Sequence, residues 1–359
     1  MRLGFLVDTD DRIAYGARGS AQDAVLAMEG MIAEAVAAEQ AGFHTLAVPD
    51  RHGIADCAFP GPEQLLTVLA RETERVAIGS FTLVSTLTHP LKVAEQLAVV
   101  DQLSRGRLFV TASRGFLPSF WDQFGAPQDH LLGRYTEALA LWRAAMPGER
   151  FDFHGRYWDT TNGLLAPPPY QPGGWPIWGG GNVSPAAIAR AADLGDAWTC
   201  DNGPLDLATW NRHVGVYRER AEALGKRPYV VLLRDAWVAD TNEQAMAEFG
   251  GHLLKEVRFY LRKGTYAHHP GFTEPDDATV ENLFDHVVVG DPQRCRDQIE
   301  RFRTEFGVDQ VILRPRFPGG PDRTRVLEQI ARLGAEVVRP VQERFPAPDH
   351  PAVPIGARW

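Results

Sequence analysis

Short apolar runs alternate with longer amphipathic segments along most of the chain. Eight of these runs have the length and the apolar content of buried strands. Between them, apolar residues recur three and four positions apart, which is typical of helices that cover a sheet. Strand–helix–strand repeats predict parallel strands, and eight repeats favour a single (β/α)8 TIM barrel over an open doubly wound sheet. The predicted strands are Leu3–Val7, Thr45–Val48, Val76–Ser80, Leu108–Ala112, Pro176–Trp178, Asp196–Thr199, Tyr229–Ala239 and Gln310–Leu313.

Two of the connectors between these runs are long. Residues 147–175 contain FHGRYW and PPPY, which indicate a two-stranded turn followed by extended polyproline. Residues 244–286 precede the last strand and begin with a helical pattern. In a barrel, long segments that follow a strand can cover the site as lids. We therefore predict one domain over residues 1–340 with a lid insertion at about 244–286, and a Pro-rich tail at 341–359.

The composition argues against several kinds of partner. The chain has 359 residues, of which 44% are hydrophobic, and its net charge of −9 comes with scattered Lys and Arg. Nucleic acid and an anionic membrane are therefore not expected partners. No signal peptide opens the chain, and no apolar run approaches the ~20 residues that span a bilayer. Cys57, Cys200 and Cys295 are sparse and match no zinc spacing, so we predict a cytoplasmic protein without a metal site.

A glycine-rich turn, GGGNVSP, follows the fifth predicted strand. Gly180 and Gly181 would let the backbone approach a phosphate, and the free N–H groups of the next helix would point towards it. Ser184 adds a hydroxyl group. Arg114 lies just past the fourth predicted strand and could add a bidentate phosphate contact. The alternative is an ordinary tight turn that binds no ligand.

The second predicted strand is followed by Asp50, Arg51 and His52. His52 could act as a general acid or base, or it could be a loop histidine with a purely structural hydrogen bond. Asp50 and Arg51 could pair with each other. A barrel glycosidase would need two facing carboxylates. Asp8 and Asp50 are the candidates for such a pair, but neither explains the glycine-rich turn.

Several segments resemble the bacterial luciferase-like flavin monooxygenase superfamily, in the order in which the family has them. They extend over roughly residues 1–335 and read AEQAGFHTLAVPDRHG, RVAIGSFTLVSTLTHPLKVAEQLAVVDQLSRGRLFVTASRGF, FHGRYW, PIWGGGNVSPAAIARAADLGDAWT and GDPQRC. The resemblance implies a TIM barrel that binds FMN, or a deazaflavin relative, at the carboxyl ends of its strands. It also implies a phosphate site. Arg114 stands where the family holds the FMN phosphate, and Val183 and Ser184, with Asn182 just before them, match the helix start that completes the site.

The same resemblance places the flavin ring near the third and fourth predicted strands. Phe81-Thr82 falls where the family has a non-proline cis peptide beneath the isoalloxazine, and Ser113 stands where luciferase has a cysteine near the flavin C4a atom. This sequence departs from the family at one point. The family has a His-His pair after the second strand, and the first histidine of that pair is thought to be the catalytic base. The matching residues here are Arg51 and His52. Either His52 is the base, or Arg51 binds an anionic substrate or peroxide.

The resemblance implies an oxidoreductase, and specifically a two-component flavoprotein monooxygenase. A separate flavin reductase would supply reduced FMN, which reacts with O2 to give a C4a-hydroperoxyflavin that oxygenates a small organic substrate. A homodimer is implied by analogy. Two alternatives stay open. One is a deazaflavin-dependent oxidoreductase, which transfers hydride without O2, and the other is a flavin-binding homologue without catalysis.

Overall fold

Eight parallel strands close into a barrel. The computed structural model describes residues 1–14, 16–180, 184–200, 206–264 and 271–358. Its strands, numbered in chain order, are β1 Arg2–Leu6, β2 Thr45–Val48, β3 Ala77–Val84, β4 Leu108–Ser113, β5 Phe151–His154, β6 Asp159–Gly163, β7 Ile177–Gly180, β8 Ala197–Cys200, β9 Val230–Val238, β10 Val288–Gly290 and β11 Gln310–Arg314. The barrel order is β1-β2-β3-β4-β7-β8-β9-β11, and β11 pairs with β1 to close the ring. This is the predicted (β/α)8 TIM barrel, and all eight predicted strands are present.

Helices cover the outside of the barrel. They are α1 Ala21–Ala41, α2 Pro62–Glu72, α3 Pro90–Ser104, α4 Pro118–Phe124, α5 Leu131–Ala145, α6 Pro185–Leu194, α7 Leu207–Ala223, α8 Asn242–Arg262, α9 Val280–Leu283, α10 Pro292–Thr304, α11 Arg323–Leu333 and α12 Arg339–Arg344. Two 3₁₀ turns, Pro275–Asp277 and Phe284–His286, flank α9. A π-helical segment, Gly334–Val338, joins α11 to α12.

The third strand extends further than the apolar pattern indicates. The pattern ends this strand at Ser80, whereas β3 continues to Val84, and its register with β4 shifts between Ser80 and Leu83. The peptide bond between Phe81 and Thr82 is cis, as the family resemblance implies. The extension carries this dipeptide to the carboxyl end of the barrel, where ligands bind in this fold.

Both long connectors contain regular structure. The predicted two-stranded turn in residues 147–175 is the antiparallel pair of β5 and β6. The predicted lid region opens with α8, whose apolar face is buried. The apolar pattern missed β10, which pairs in parallel with residues 236–238 of β9. A strand of three residues is too short to show a period of its own.

The C-terminal tail lies across the amino end of the barrel. Inside the barrel, Phe109 stacks on Trp178 with ring centroids 3.9 Å apart. The Trp178 indole N–H donates to the Ala352 carbonyl at 2.7 Å, and the His350 ring lies 4.6 Å from that of Tyr229. The tail therefore covers one end of the barrel, and the candidate site residues lie at the other end.

Candidate functional site

The predicted site residues come from four neighbouring strands and one helix. β2, β3, β4 and β7 are consecutive and parallel, so their carboxyl ends lie side by side. Three predicted phosphate-site residues, Gly181, Asn182 and Val183, lie outside the described residues. The others are distributed as follows: Arg51 and His52 after β2, Phe81 and Thr82 in β3, Ser113 and Arg114 at the end of β4, Gly180 at the end of β7, and Ser184 before α6.

Two hydroxyl groups meet between β3 and β4. The Thr82 hydroxyl donates to Ser113 Oγ at 2.9 Å, and the Gly115 N–H donates to the same oxygen at 3.3 Å. Both side chains are half-buried, whereas Phe81 points into the barrel and is buried. The cis peptide and the two hydroxyls thus form one polar patch at the carboxyl end of the barrel, which we call the mouth. The resemblance assigns these residues to the flavin ring.

Gly180 has a packing role in this patch. A Cβ at this position would lie 2.8 Å from Thr82 Cγ2 and 3.0 Å from Thr111 Cγ2. The first distance is shorter than real Cβ contacts and the second is tight, so a side chain here would force Thr82 to shift, whereas glycine lets β7 lie this close to β3 and β4. Close packing is therefore one reason for the glycine-rich turn, independently of any phosphate.

Arg114 and Ser184 stand at the two described edges of the predicted phosphate site. The Arg114 carbonyl accepts from the Thr86 hydroxyl at 3.1 Å, and Thr86 Oγ1 in turn accepts from the Trp121 indole N–H at 3.0 Å. The Arg114 side chain is exposed, and within the described part of the chain its guanidinium has no hydrogen-bond or ion-pair partner. Ser184 is the N-cap of α6 and accepts from the Ala187 N–H at 3.4 Å.

His52 pairs with Asp50 rather than standing alone. His52 Nε2 lies 2.8 Å from Asp50 Oδ1, and Asp50 Oδ2 accepts from the Val84 N–H at 2.8 Å. Burial opposes the charged imidazolium, but the hydrogen bond to Asp50 and the charges of Asp50 and Glu63 outweigh it and raise the pKa of His52. Asp50 therefore links the candidate base, His52, to β3, the strand that carries the cis peptide.

Arg51 pairs with Asp8, so the alternative that Asp50 and Arg51 pair with each other is wrong. Arg51 Nη2 donates to Asp8 Oδ2 at 2.8 Å, and Nη1 donates to Oδ1. Asp8 is fully buried, while the Arg51 side chain is 14% exposed. Burial opposes the charge of Arg51, but Asp8 outweighs it and raises the pKa of the guanidinium. Asp8 and Asp50 are therefore not the pair of free carboxylates that a glycosidase would need, because Asp8 binds Arg51 and Asp50 binds His52.

A carboxyl group on α8 completes this charged cluster, and the sequence interpretation missed it. Glu256 Oε1 accepts from Arg314 Nη1 at 2.9 Å, and Arg314 Nε donates to Asp235 Oδ1 at 2.6 Å. Burial raises the pKa of Glu256 against the opposing effects of Arg314 and Arg51. The sequence carries one signal for this role, a carboxylate on the apolar face of an amphipathic helix.

Aromatic rings line one side of the mouth. Phe116 follows β4 and its ring centroid lies 6.1 Å from those of Phe120 and of Tyr260 on α8. The His52 ring is edge-on to Phe120 and Phe124, at 6.3 and 5.0 Å. We call Phe116, Phe120, Phe124 and Tyr260 the aromatic wall. It runs from α8 to the candidate base.

A cleft of about 450 Å³ lies apart from these residues, between α8 and α11, and is lined by Asp11, Trp237, Glu248, His252, Gly319, Gly320, Pro321, Asp322 and Arg325. Its acidic groups are engaged in the fold, since Glu248 pairs with Arg325, Asp322 caps α11 and Asp11 accepts from the Arg323 N–H.

Among the described residues, no three or more His, Cys, Asp or Glu side chains are grouped to hold a metal ion. None of the described helices has the length and apolar content that crossing a membrane requires.

Comparisons with known proteins agree with the fold and identify the family. A family model described as luciferase-like monooxygenase matches residues 1–310. The chain is 25% identical over 301 residues to the flavin-dependent trigonelline monooxygenase, oxygenase component, of Acinetobacter baylyi, covering 76% of this chain and 79% of that protein. It is 32% identical over 203 residues to the F420-dependent glucose-6-phosphate dehydrogenase of Beutenbergia cavernae, covering 53% of this chain and 57% of that protein.

A solved structure shares the whole architecture. The oxygenating constituent of 3,6-diketocamphane monooxygenase from Pseudomonas putida, in complex with FMN, matches with a TM-score of 0.74 and 22% identity over 94% of this chain and 98% of that chain. At this identity the likeness concerns the fold. The chain spans between 50% and 95% of the length of the first curated relatives that it matches.

Proposed function

Because the chain belongs to the luciferase-like monooxygenase family, we propose that it is the oxygenase component of a two-component monooxygenase. It would use reduced FMN and O2 to oxygenate a small organic substrate. The relative from Acinetobacter baylyi, an oxygenase component, supports this assignment. A separate flavin reductase is then the partner that supplies reduced FMN. We further propose a cytoplasmic homodimer.

One observation carries the proposal. The cis Phe81-Thr82 peptide and the Thr82–Ser113 hydroxyl pair form a polar patch at the carboxyl end of β3 and β4. The described residues fit a flavin there, because the patch can support the ring while Arg114, exposed and without a partner among the described residues, can reach a phosphate. Ser184, at the start of α6, and residues 181–183 would complete the phosphate site.

The described residues have distinct roles in this proposal. His52, whose Nε2 pairs with Asp50, is the candidate base and would accept or return a proton at Nδ1, its other ring nitrogen. Arg51 keeps Asp8 neutralised and is not a base. The α8 part of the 244–286 segment covers the mouth and excludes water, anchored there by the contact of Glu256 with Arg314. When bound, reduced FMN supplies the electrons with which O2 is activated.

A cofactor titration followed by an isotope experiment tests the proposal. The protein is titrated with oxidised FMN in air and with reduced FMN without oxygen, and binding is followed by flavin absorbance and fluorescence. It is then incubated with a flavin reductase, FMN and isotopically labelled O2 in the presence of candidate substrates. We expect tighter binding of reduced FMN and one labelled oxygen atom in the product. The proposal fails if neither form of FMN binds, or if products contain no labelled oxygen.

A deazaflavin-dependent oxidoreductase is the second candidate, because a 32% identical relative is named as F420-dependent. The same mouth could hold a deazaflavin, whose reduced form transfers hydride and does not need O2. Parallel titration with FMN and F420 separates the two candidates, since the preferred cofactor should bind at least ~tenfold more tightly, which corresponds to 1.4 kcal/mol. A protein that binds FMN, releases only hydrogen peroxide and oxygenates no substrate would instead be a non-catalytic homologue.

A further inference from the structure

We propose that the mouth of the barrel beside the aromatic wall takes an uncharged, apolar or aromatic substrate, and that Phe116 is a main determinant of this preference. The inference rests on the proposed function and adds the substrate class. Two independent observations support this inference. Aromatic side chains face the mouth, and the guanidinium groups behind them are already paired with carboxylates.

The first observation is the exposure of two rings of the aromatic wall, Phe116 and Phe124. Phe116 is 49% exposed and Phe124 is 47% exposed, although both lie next to the candidate base His52 or its neighbour Phe120. Phe116 follows β4, whereas its contact Tyr260 belongs to the helix after β9, so the two rings approach from different sides of the mouth. Exposed apolar area beside a candidate active site is typical of a ligand surface, because a bound apolar molecule removes it from water.

The second observation is the neutralisation of both arginines that lie behind this wall. Both terminal nitrogens of Arg51 donate to Asp8. Arg314 donates to Asp235 and Glu256, is 2% exposed and stacks on Phe317 with its Cζ atom 4.5 Å from the ring centroid. Three carboxyl groups thus face these two guanidinium groups, and neither guanidinium is left to pair with an anionic substrate. The carboxyl groups are themselves bound to arginine, so they offer little to a cation.

The arrangement also explains how a substrate would lie relative to the candidate base. The aromatic wall ends at His52, which Phe120 and Phe124 contact edge-on. An apolar body packed on the wall would therefore bring its one polar, reacting group towards His52 and the Thr82–Ser113 patch. The aromatic wall selects the apolar body of the substrate. The paired groups around Arg51 and Arg314 offer no partner to a charged competitor, and burying an unpaired charge is costly.

A set of three matched probes tests the inference. Methyl naphthyl ketone, naphthoate and naphthylmethylammonium share one aromatic body and differ in charge. Their binding is measured by isothermal titration calorimetry, once without flavin and once with saturating FMN, so that a failure of FMN binding is seen separately. We expect the ketone to bind at least ~tenfold more tightly than either charged probe, equivalent to 1.4 kcal/mol. Equal or tighter binding of a charged probe, or no binding of the ketone in either state, overturns the inference.

Two variants place the site. Phe116→Ala should weaken ketone binding roughly five- to tenfold, as expected for the loss of a large apolar contact. Tyr170→Ala is the matched control, because Tyr170 is 48% exposed but packs beside Gly106 before β4, at the other end of the barrel. Asp8→Asn leaves Arg51 without its counter-charge and should strengthen naphthoate binding. If Asp8→Asn does not fold, the Phe116→Ala result decides, and unchanged ketone binding in that variant contradicts the inference.

Discussion

Arg51 donates through both terminal nitrogens to the two carboxylate oxygens of Asp8, which lies 43 positions earlier in the chain. The pair joins the segments that follow β1 and β2. Arg51 occupies the position at which the family resemblance implies the first histidine of a His-His pair. Since Asp8 is buried and Arg51 nearly so, the two charges neutralise each other inside the mouth. We therefore propose a structural role for Arg51 and retain His52 as the candidate base.

Replacing Arg51 should therefore lower the stability of the fold more than it weakens substrate binding. Arg51→Met leaves a buried, uncompensated carboxylate at Asp8 and is expected to lower the free energy of unfolding by about 3–5 kcal/mol. The double variant Asp8→Asn/Arg51→Met should lose clearly less than the two single variants together. Urea denaturation of the four proteins measures these values. An Arg51→Met variant with normal stability but impaired turnover would instead favour a role in binding substrate or peroxide.

Asp50 should control the protonation of His52. Asp50→Asn removes both the hydrogen bond and the charge that raise the pKa of His52, so the pKa should fall in this variant. NMR titration of the His52 ring protons, assigned with His52→Gln, measures the shift. Asp159→Asn is the control, because His154 Nδ1 lies 2.7 Å from Asp159 Oδ1 in an exposed pair elsewhere, and only His154 should respond.

The same pair predicts a pH-dependent stability difference. The folded-state pKa of His52 is raised, so its contribution is fully present below about 6.5, the ordinary value for histidine, and is lost as the pH rises through the folded value. The stability advantage of the native chain over Asp50→Asn should therefore shrink across that window. Thermal melts at a series of pH values show this, and a difference that grows with pH would contradict the assigned ion pair.

Gly180 should be intolerant of a side chain. In Gly180→Ala the new methyl group would lie 2.8 Å from Thr82 Cγ2, so Thr82 must move and its bond to Ser113 is disturbed. We expect a loss of about 1–3 kcal/mol in stability, as for overpacked cores, together with weaker flavin binding. Gly215→Ala is the control, because Gly215 lies in α7 with no heavy atom within 4 Å of the added Cβ. That variant should be neutral or more stable by up to about 1 kcal/mol.

Arg114 should distinguish FMN from riboflavin. If its guanidinium binds the phosphate, Arg114→Ala should weaken FMN binding by roughly ten- to a hundredfold, the usual value of a charged hydrogen bond, and leave riboflavin binding nearly unchanged. Arg71→Ala, which alters an exposed arginine in the last turn of α2, serves as the control. Equal losses for FMN and riboflavin would mean that Arg114 acts on the flavin ring or on the fold.

The sequence by itself determined the framework of this protein. The eight barrel strands, their parallel order and the two-stranded turn in residues 147–175 follow from local features, namely apolar period, glycine and proline positions and segment length. The same features placed the candidate residues at strand ends, and the family resemblance implied the cis peptide at Phe81-Thr82. The short strand β10 and the extension of β3 were missed, because pairing with a neighbour, rather than their own pattern, defines them.

Only the tertiary structure decided which charged groups meet. Asp8 and Arg51 are 43 positions apart, and Glu256 and Arg314 are 58 positions apart, so nothing in a local pattern relates them. Closing the barrel brings the strand ends together and lays α8 over them, which pairs the carboxylates with the arginines and turns Tyr260 towards Phe116. A periodic pattern can report which face of a segment is buried. The partner of a buried charge depends on the closure of the whole fold.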